Sequence, residues 1–248
     1  MKIVIVTGAA TGMGRACAIE LSKAGFTIAA NYRSKRSDAE SLLQNLHGEG
    51  HQLFQADISS PDEAEKLIAN VVDTFGRVDA LVNVAGQYTE QDVTSADYEK
   101  WRNAWQESIK INLLAPINLG FHAAQDMMKR GSGKIVNITS RGAFRGEPDA
   151  PAYGASKSGL NSASQSLAAA LAPHGVCVYA VAPGYVDTPM ASPAIHGEES
   201  KNIKAQSPLN RVGRPSEIAK LVTYLLGEET EYLTGAIIDV NGASYLRN

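Results

Sequence analysis

The regular alternation of short apolar runs with longer segments of helical periodicity constrains the fold of this chain most. The chain opens with the apolar run 2–6, and the helical pattern of residues 12–24 follows it, with Cys17, Ala18 and Leu21 among its apolar positions. Apolar runs of this length are typical of parallel strands that are buried on both faces. The alternation therefore predicts an α/β fold.

The same alternation continues along the whole chain. It predicts a Rossmann-type, doubly wound parallel sheet of about seven strands with helices on both faces. We expect strands over 2–6, 26–32, 52–56, 79–84, 134–139, 176–182 and 236–240. We expect helices over 12–24, 37–47, from Ser60-Pro61 onwards, from about Ala96 to Arg130 with a break near Asn112 to Pro116, from about Ala152 to Ala172, and over 216–226.

No linker, internal repeat or low-complexity tract divides the chain, so we expect a single domain over residues 1–248. One long segment, about 184–213, lacks clear periodicity. It would follow the carboxyl end of the sixth strand, where α/β sheets bind their ligands. We expect a substrate lid there, and an ordinary surface excursion is the alternative.

The composition excludes several classes of protein. Hydrophobic residues make up 44% and charged residues 20% of the chain, and the formal net charge is −3, which does not suggest a nucleic-acid partner. The start of the chain is typical of a strand rather than of a signal peptide, and no apolar run is long enough to span a membrane. We expect a cytoplasmic protein. Cys17 and Cys177 are predicted to be reduced core thiols, and no Cys/His spacing indicates a metal site.

A glycine-rich turn, TGAATGMG, lies between the first predicted strand and the first predicted helix. Gly8 follows the strand directly, and Gly12 and Gly14 open the helix. Glycine lets the backbone approach a pyrophosphate closely, and the helix N-terminus supplies N–H donors. Because strand, turn and helix stand in the required order, the turn indicates a phosphate cradle.

The motif YGASK places Tyr153 and Lys157 on one face of a predicted helix, one turn apart. A neighbouring ammonium stabilises an ionised phenol, so we expect the pKa of Tyr153 to fall from about 10 towards neutrality. Such a tyrosine can exchange a proton near neutral pH, as a general acid or base must. Ser140, upstream of the motif, could hold the reacting oxygen. The Tyr-x-x-x-Lys pattern alone is common, so its weight depends on the other motifs.

These motifs together resemble the short-chain dehydrogenase/reductase family, and the resemblance spans almost the entire chain. Further motif positions match the family in the same order along the chain. They are Asn83-Val84-Ala85-Gly86, Asn112, Pro183-Gly184, Thr188 and the segment 211–242. The sequence departs from the family pattern at Val84, where a second asparagine is usual, and at Asn241-Gly242-Ala243, where DGG is usual. Much of the chain is similar to the 3-oxoacyl-(acyl-carrier-protein) reductase and glucose dehydrogenase branches.

The resemblance implies an oxidoreductase that transfers a hydride between a nicotinamide and a carbonyl or secondary alcohol. It implies that Tyr153 exchanges a proton with the substrate oxygen and that Ser140 orients that oxygen. Lys157 would lower the pKa of Tyr153 and bind the nicotinamide ribose, and Asn112 would hold a water that connects Lys157 to solvent.

The resemblance also implies a set of cofactor-binding residues, with Asp57 at the adenine ring and Thr188 at the carboxamide. The full set is Gly8, Thr11, Gly12, Met13, Gly14, Arg33, Ser34, Asp57, Ile58, Asn83, Ala85, Gly86, Tyr153, Lys157, Pro183, Gly184, Val186 and Thr188.

The end of the second predicted strand favours NADP(H), with NAD(H) possible at lower affinity. NAD enzymes of this fold place an acid there, but the chain has Tyr32 followed by Arg33 and Ser34. An arginine fork suits a 2′-phosphate. Arg15, after the last glycine, is either a second phosphate ligand or an exposed helix charge.

The substrate is predicted only as a small carbonyl or alcohol, such as a 3-oxoacyl thioester or a small ketone. Lys129-Arg130 fit one place where the carrier-protein branch binds its acidic partner, but His174 stands where an arginine is usual, so that partner is in doubt. Arg141 and Arg145 are expected to be solvated loop charges, with contact to an anionic group as the alternative. Family members commonly form tetramers through their long central helices, so we expect a homotetramer.

Two other functions stay open at this stage. One is a catalytically silent nucleotide-binding sensor or scaffold on the same fold, because a fold does not fix a function. The other is an epimerase or dehydratase of the extended relatives, although their usual G-x-x-G-x-x-G turn and longer C-terminal region fit this chain poorly.

Overall fold

A seven-stranded parallel sheet forms the centre of the molecule. The computed structural model describes residues 2–94 and 97–247. The strands are β1 (Lys2–Val6), β2 (Phe26–Tyr32), β3 (Gln52–Gln55), β4 (Ala80–Asn83), β5 (Gly133–Ile138), β6 (Val176–Pro183) and β7 (Ile237–Val240). Their order in the sheet is β3-β2-β1-β4-β5-β6-β7. Strands β2 and β3 are added on one side of β1 and strands β4 to β7 on the other, so the strand order reverses between β1 and β4. This confirms the predicted doubly wound fold, in which ligands bind where the strand order reverses.

Helices cover both faces of the sheet. They are α1 (Gly12–Lys23), α2 (Arg36–Leu43), α3 (Pro61–Phe75), α4 (Tyr98–Ile109), α5 (Ala115–Arg130), α6 (Gly142–Arg145), α7 (Pro151–Leu171), α8 (Ser192–His196), α9 (Ser200–Ala205) and α10 (Pro215–Leu226). Short 3₁₀ turns lie at Ala172–His174 and Glu231–Leu233.

Two apolar cores result, one on each face of the sheet. Val4 and Val6 of β1 point into the core that α1 and α10 cover. Ile3 and Ile5 of the same strand point into the core that α3 and α5 cover. This alternation is the expected consequence of the two-residue repeat of a strand, and it explains why β1 is apolar at successive positions.

The predicted break in the long helical region is wrong. Helix α4 continues through a π-helical turn, Lys110–Leu114, directly into α5. Pro116 has no N–H and would clash with the carbonyl four residues earlier in a regular helix, and a widened turn relieves this conflict without ending the helix. The predicted start at Ala96 lies outside the described residues.

Two other segments differ from the prediction. Helix α2 ends at Leu43 rather than at residue 47, because the Asn45 side chain donates a hydrogen bond to the Ser41 carbonyl at 2.7 Å and closes the helix end. The segment 184–213 contains the short helices α8 and α9, which are anchored by the buried side chains of Ile195 and Ile203. Helices of five or six residues carry too little periodicity to be seen in a sequence.

Both cysteines are free thiols in the core, as predicted. Burial raises the pKa of Cys17 to about 12, so this thiol stays protonated. Within residues 2–94 and 97–247, none of the helices has the length and apolar character that crossing a membrane requires.

Gly14 provides a test of how tightly the start of α1 packs against Gly8 in the glycine turn. A Cβ at this position would lie 2.3 Å from the Gly8 carbonyl oxygen, so we expect Gly14→Ala to destabilise the protein by about 1–3 kcal/mol. Gly120→Ala is the matched control, because a Cβ there meets nothing within 4 Å outside its own helix backbone. Since alanine is the better helix former, the control should be about 0.5–1 kcal/mol more stable than the wild type.

Chemical unfolding of the two variants without cofactor measures both effects. Equal stabilities of Gly14→Ala and Gly120→Ala would contradict the close packing of the turn.

Candidate active site

The glycine turn and the ends of β4 and β6 meet at one edge of the sheet. Gly8 and Gly12 have positive φ angles of 62° and 56°, which L-residues rarely adopt. A Cβ on Gly8 would lie 3.2 Å from Ala85, and a Cβ on Gly12 would lie 3.4 Å from Thr188. A side chain at either position would therefore be strained and crowded, so the turn needs glycine, as a phosphate cradle at a helix N-terminus does.

Two buried polar side chains hold this edge in place, and the sequence analysis missed both. The hydroxyl of Thr7 accepts hydrogen bonds from the backbone N–H groups of Val84 at 2.9 Å and Ala85 at 3.1 Å. The Asn31 side chain accepts a hydrogen bond from the Gly8 N–H at 3.4 Å and donates to two carbonyls at the end of β3. The signal that could have revealed them is a polar residue at the end of a strand that is otherwise apolar.

Some of the predicted cofactor residues do not direct their side chains to this edge. The Asn83 amide donates to Asn137 at 2.8 Å and to the Pro116 carbonyl at 3.3 Å, so it connects β4 to β5 and α5. Ile58 is 5% exposed and packs in the core between the sheet and α3. Ile58 therefore offers only its backbone to a ligand, and the Asn83 amide nitrogen is occupied within the protein.

The residues after β2 and β3 lie near one another. Arg33 and Ser34 are exposed, and Arg33 has no ion pair within the described part of the chain. Burial acts to raise the pKa of Asp57, but hydrogen bonds from Ser59 and the positive charges of Arg33 and Lys110 outweigh it. The pKa of Asp57 therefore lies below its ordinary value, and the carboxylate is ionised at neutral pH.

Arg15 is not free to bind a phosphate. Its guanidinium donates hydrogen bonds to the carbonyls of Ala10 at 3.4 Å, Asp38 at 3.0 Å and Ser41 at 3.4 Å. These contacts connect the start of α1 to α2. Arg15 is therefore neither a phosphate ligand in this structure nor a free surface charge, but a residue that holds two helices together.

Tyr153, Ser140 and Lys157 converge where β5 ends against α7. The Ser140 side chain lies close enough to the Tyr153 hydroxyl to act on its pKa. The Ser140 hydroxyl also accepts a hydrogen bond from the Gly142 N–H at 3.0 Å. The ammonium of Lys157 is buried, donates to the Ile138 carbonyl at 2.9 Å, and lies 5.9 Å from the centre of the Tyr153 ring.

Asn112 lies beside Lys157, in the π-helical turn. Its side chain accepts a hydrogen bond from the Gln87 N–H and donates one to the Gln87 carbonyl, each at 2.9 Å. A Cβ on Gly86 would lie 2.8 Å from Asn112 Oδ1 and 3.5 Å from Lys157 Nζ. The π-helical turn therefore places Asn112 against the site and fastens the loop that follows β4.

The expected fall in the pKa of Tyr153 is wrong in this structure. Burial raises its pKa, and the neighbouring Ser140 side chain opposes this only in part. Burial also lowers the pKa of Lys157 to about 8. The Lys157 ammonium is bonded to the Ile138 carbonyl rather than to the phenol, so desolvation decides the pKa of Tyr153.

The rim of the site contains residues that no motif indicated. The ring of Tyr88 meets the ring of Tyr153 edge to face, with centroids 5.2 Å apart. The half-buried carboxyl of Glu147 acts on Tyr153 electrostatically. Arg141 is only 3% exposed, so the expectation of a solvated loop charge is wrong for this residue, whereas Arg145 is exposed.

Comparison with known proteins agrees with this geometry. A family model described as enoyl-(acyl carrier protein) reductase matches residues 8–243. The chain is 34% identical to the 3-oxoacyl-(acyl-carrier-protein) reductase of Staphylococcus epidermidis over 247 residues, which cover 99% of both chains. It is also 34% identical, over 249 residues and 99% of both chains, to the acetoacetyl-CoA reductase of Allochromatium vinosum. The chain belongs to the short-chain dehydrogenase/reductase family and is an oxidoreductase that depends on a nicotinamide cofactor.

Proposed function

We propose that the protein is an NADP(H)-dependent reductase of a carbonyl compound, either a 3-oxoacyl thioester or a small ketone, and that Asn112, Ser140, Tyr153 and Lys157 form its catalytic site. The observation that carries the proposal is the meeting of Tyr153, Ser140 and Lys157 at the carboxyl edge of the sheet. The names of the relatives favour a thioester substrate. A bound nicotinamide supplies or accepts the hydride.

Tyr153 provides the proton. Its raised pKa keeps the phenol protonated at neutral pH, so it can donate a proton to the substrate oxygen in the direction of reduction. The Ser140 hydroxyl binds the same oxygen and holds it in reach of the phenol. Lys157, with a pKa of about 8, carries a positive charge at neutral pH and stabilises the phenolate that remains.

The glycine turn and the neighbouring strand ends would hold the cofactor. The positive φ angles of Gly8 and Gly12 at the start of α1 support this assignment, because they let the backbone N–H groups approach a phosphate. The other proposed contacts are Thr11, Met13, Gly14, Arg33, Ser34, Asp57, Ile58, Asn83, Ala85, Gly86, Tyr153, Lys157, Pro183, Gly184, Val186 and Thr188.

The preference for NADP(H) rests on the end of β2. Tyr32 is buried there and offers no carboxylate to a ribose hydroxyl, while Arg33 is exposed and has no ion pair within residues 2–94 and 97–247. A free guanidinium beside Ser34 suits a 2′-phosphate. NAD(H) lacks that phosphate and would bind with lower affinity.

A free thioester or small ketone is favoured over a carrier-bound substrate. Arg130 is engaged with the Asp126 carboxylate and the Val78 carbonyl, which leaves Lys129 and His174 as the exposed basic residues in the predicted carrier-binding places. One lysine and one histidine form a weak patch for an acidic protein.

We also infer a single domain, a lid over about 184–213 and a cytoplasmic homotetramer. Leu114 and Phe121 lie along the α4–α5 region and are 48% and 58% exposed, which suits helix packing against another copy. Light scattering at micromolar concentration should give four times the chain mass of 26.4 kDa. A monomer would contradict the tetramer.

Replacing Tyr153 by phenylalanine removes the proposed proton donor and keeps the ring that packs against Tyr88. We expect kcat for ketone reduction with NADPH to fall by about three orders of magnitude, the contribution of a positioned general acid. The melting temperature and the dissociation constant of NADPH should stay near those of the wild type. Turnover near the wild-type value would remove Tyr153 from its role.

Replacing Arg33 by alanine tests the cofactor preference. Because charge-assisted hydrogen bonds to a phosphate would be lost, we expect the KM for NADPH to rise about tenfold or more while the KM for NADH changes little. Arg36→Ala is the matched control, since Arg36 is exposed nearby but is paired with Glu40 at 2.8 Å. Equal increases in the KM for NADPH and the KM for NADH would contradict the role of Arg33 in binding the 2′-phosphate.

A further inference from the structure

A cavity of about 810 Å³ lies between the segment 203–213, the end of β7 and the C-terminal residues. Three arginines line it, and two of them are neutralised. Arg211 contacts the Glu217 carboxylate at 2.8 Å, and Arg247 contacts the Asp239 carboxylate at 2.7 Å. Arg141, the third, has no carboxylate within ion-pair distance in the described ranges 2–94 and 97–247.

Arg141 is buried in spite of its charge. Only 3% of the residue is exposed, and its guanidinium packs over the Tyr185 ring at 5.0 Å from the ring centre. Its side chain donates one hydrogen bond, to the neutral Gln206 Oε1 at 2.5 Å. A buried cation without a counter-charge is unfavourable, and the same group binds an anion well when one is supplied.

A second cation shares the same acceptor. The Arg145 side chain also donates to Gln206 Oε1, at 3.5 Å, and its nearest carboxylate oxygen belongs to Glu147, at 3.8 Å. Arg141, Arg145 and Glu147 together carry a formal charge of +1, and Asp149 lies further out, where it acts on Glu147. Two guanidinium groups that converge on one neutral oxygen match the geometry in which arginines bind a carboxylate.

The cluster adjoins the proposed catalytic site. Arg141 directly follows Ser140 in the chain, and its backbone N–H donates to the Pro183 carbonyl at 2.9 Å. Glu147 acts electrostatically on both Arg141 and Tyr153. The cluster therefore lies beside the residues that are proposed to bind the reacting oxygen.

We propose that Arg141 and Arg145 bind a carboxylate at one end of the substrate, so that the protein prefers oxo compounds with an anionic end to their neutral analogues. Gln206, on the proposed lid, holds the two guanidinium groups in place and yields its position when the carboxylate binds. Arg141 is thus a specificity-determining residue for the reaction. The inference rests on the proposed function and names the class of its substrate.

Matched pairs of acids and esters test the preference. The probes are acetoacetate, 4-oxopentanoate and 5-oxohexanoate with their methyl esters, because the three acids vary the distance from carbonyl to carboxylate. For the best acid we expect kcat/KM with NADPH to exceed that of its ester about tenfold or more. In Arg141→Gln this advantage should disappear, so that acid and ester are reduced with similar kcat/KM.

Control variants separate charge recognition from damage to the fold. Arg211→Gln alters an arginine of the same cavity that is already paired with Glu217, and it should keep the preference for the acid. Arg141→Lys keeps the positive charge but loses the planar guanidinium, which can donate two parallel hydrogen bonds to a carboxylate. It should therefore retain part of the preference for the acid. If Arg141→Gln does not fold by thermal unfolding, Arg145→Gln replaces it, since Arg145 is exposed.

The outcomes distinguish this inference from the proposed function. Reduction of esters and of a neutral acetoacetyl thioester without any preference for acids would overturn the inference and leave the proposed function standing. If no ketone is reduced, the proposed function fails, and calorimetric binding of 5-oxohexanoate in the presence of NADP⁺ decides the inference. Binding that weakens about tenfold in Arg141→Gln supports it, and equal or absent binding in both proteins overturns it.

Discussion

The hydrogen bond from the Lys157 ammonium to the Ile138 carbonyl is the interaction on which the proposed site depends. It fixes α7 against the end of β5, and so places Tyr153 beside Ser140. Burial makes this lysine a weaker base than usual, with a pKa of about 8, and the same burial raises the pKa of Tyr153. The structure thereby keeps a protonated phenol next to a cation that is still charged at neutral pH, which is the arrangement that proton donation to a carbonyl oxygen requires.

The parallel sheet brings the remaining groups to the same edge. The carboxyl ends of β1, β4 and β6 meet there, and Thr7 and Asn31 replace the missing strand hydrogen bonds where the strands separate. The glycine turn packs closely against Ala85 and Thr188 at this edge. Arg141 and Arg145 share Gln206 as an acceptor, and Glu147 is the one carboxylate within ion-pair distance of either guanidinium among the described residues. This arrangement is the basis of the proposed preference for an anionic substrate.

Much of the fold could be predicted, because parallel strands and amphipathic helices leave periodic patterns that do not depend on distant residues. The nature of the turn around Asn112 could not, since a π-helical turn and a helix break have the same sequence signal. The motif residues Ser140, Tyr153 and Lys157 were predicted to meet, and they do. The burial of Arg141 and the direction of the pKa shift of Tyr153 could not be predicted, because both depend on which side chains from distant segments cover them.

The most direct test of the central claim is the reduction of a neutral acetoacetyl thioester by the wild-type protein, followed through the loss of the absorbance of reduced nicotinamide. NADPH and NADH are compared at the same concentrations. Steady turnover with NADPH, and a lower kcat/KM with NADH, is the predicted result. Tight binding of NADPH without turnover of the thioester or of any ketone would contradict the catalytic role of the Ser140–Tyr153–Lys157 arrangement and would favour a nucleotide-binding protein without activity.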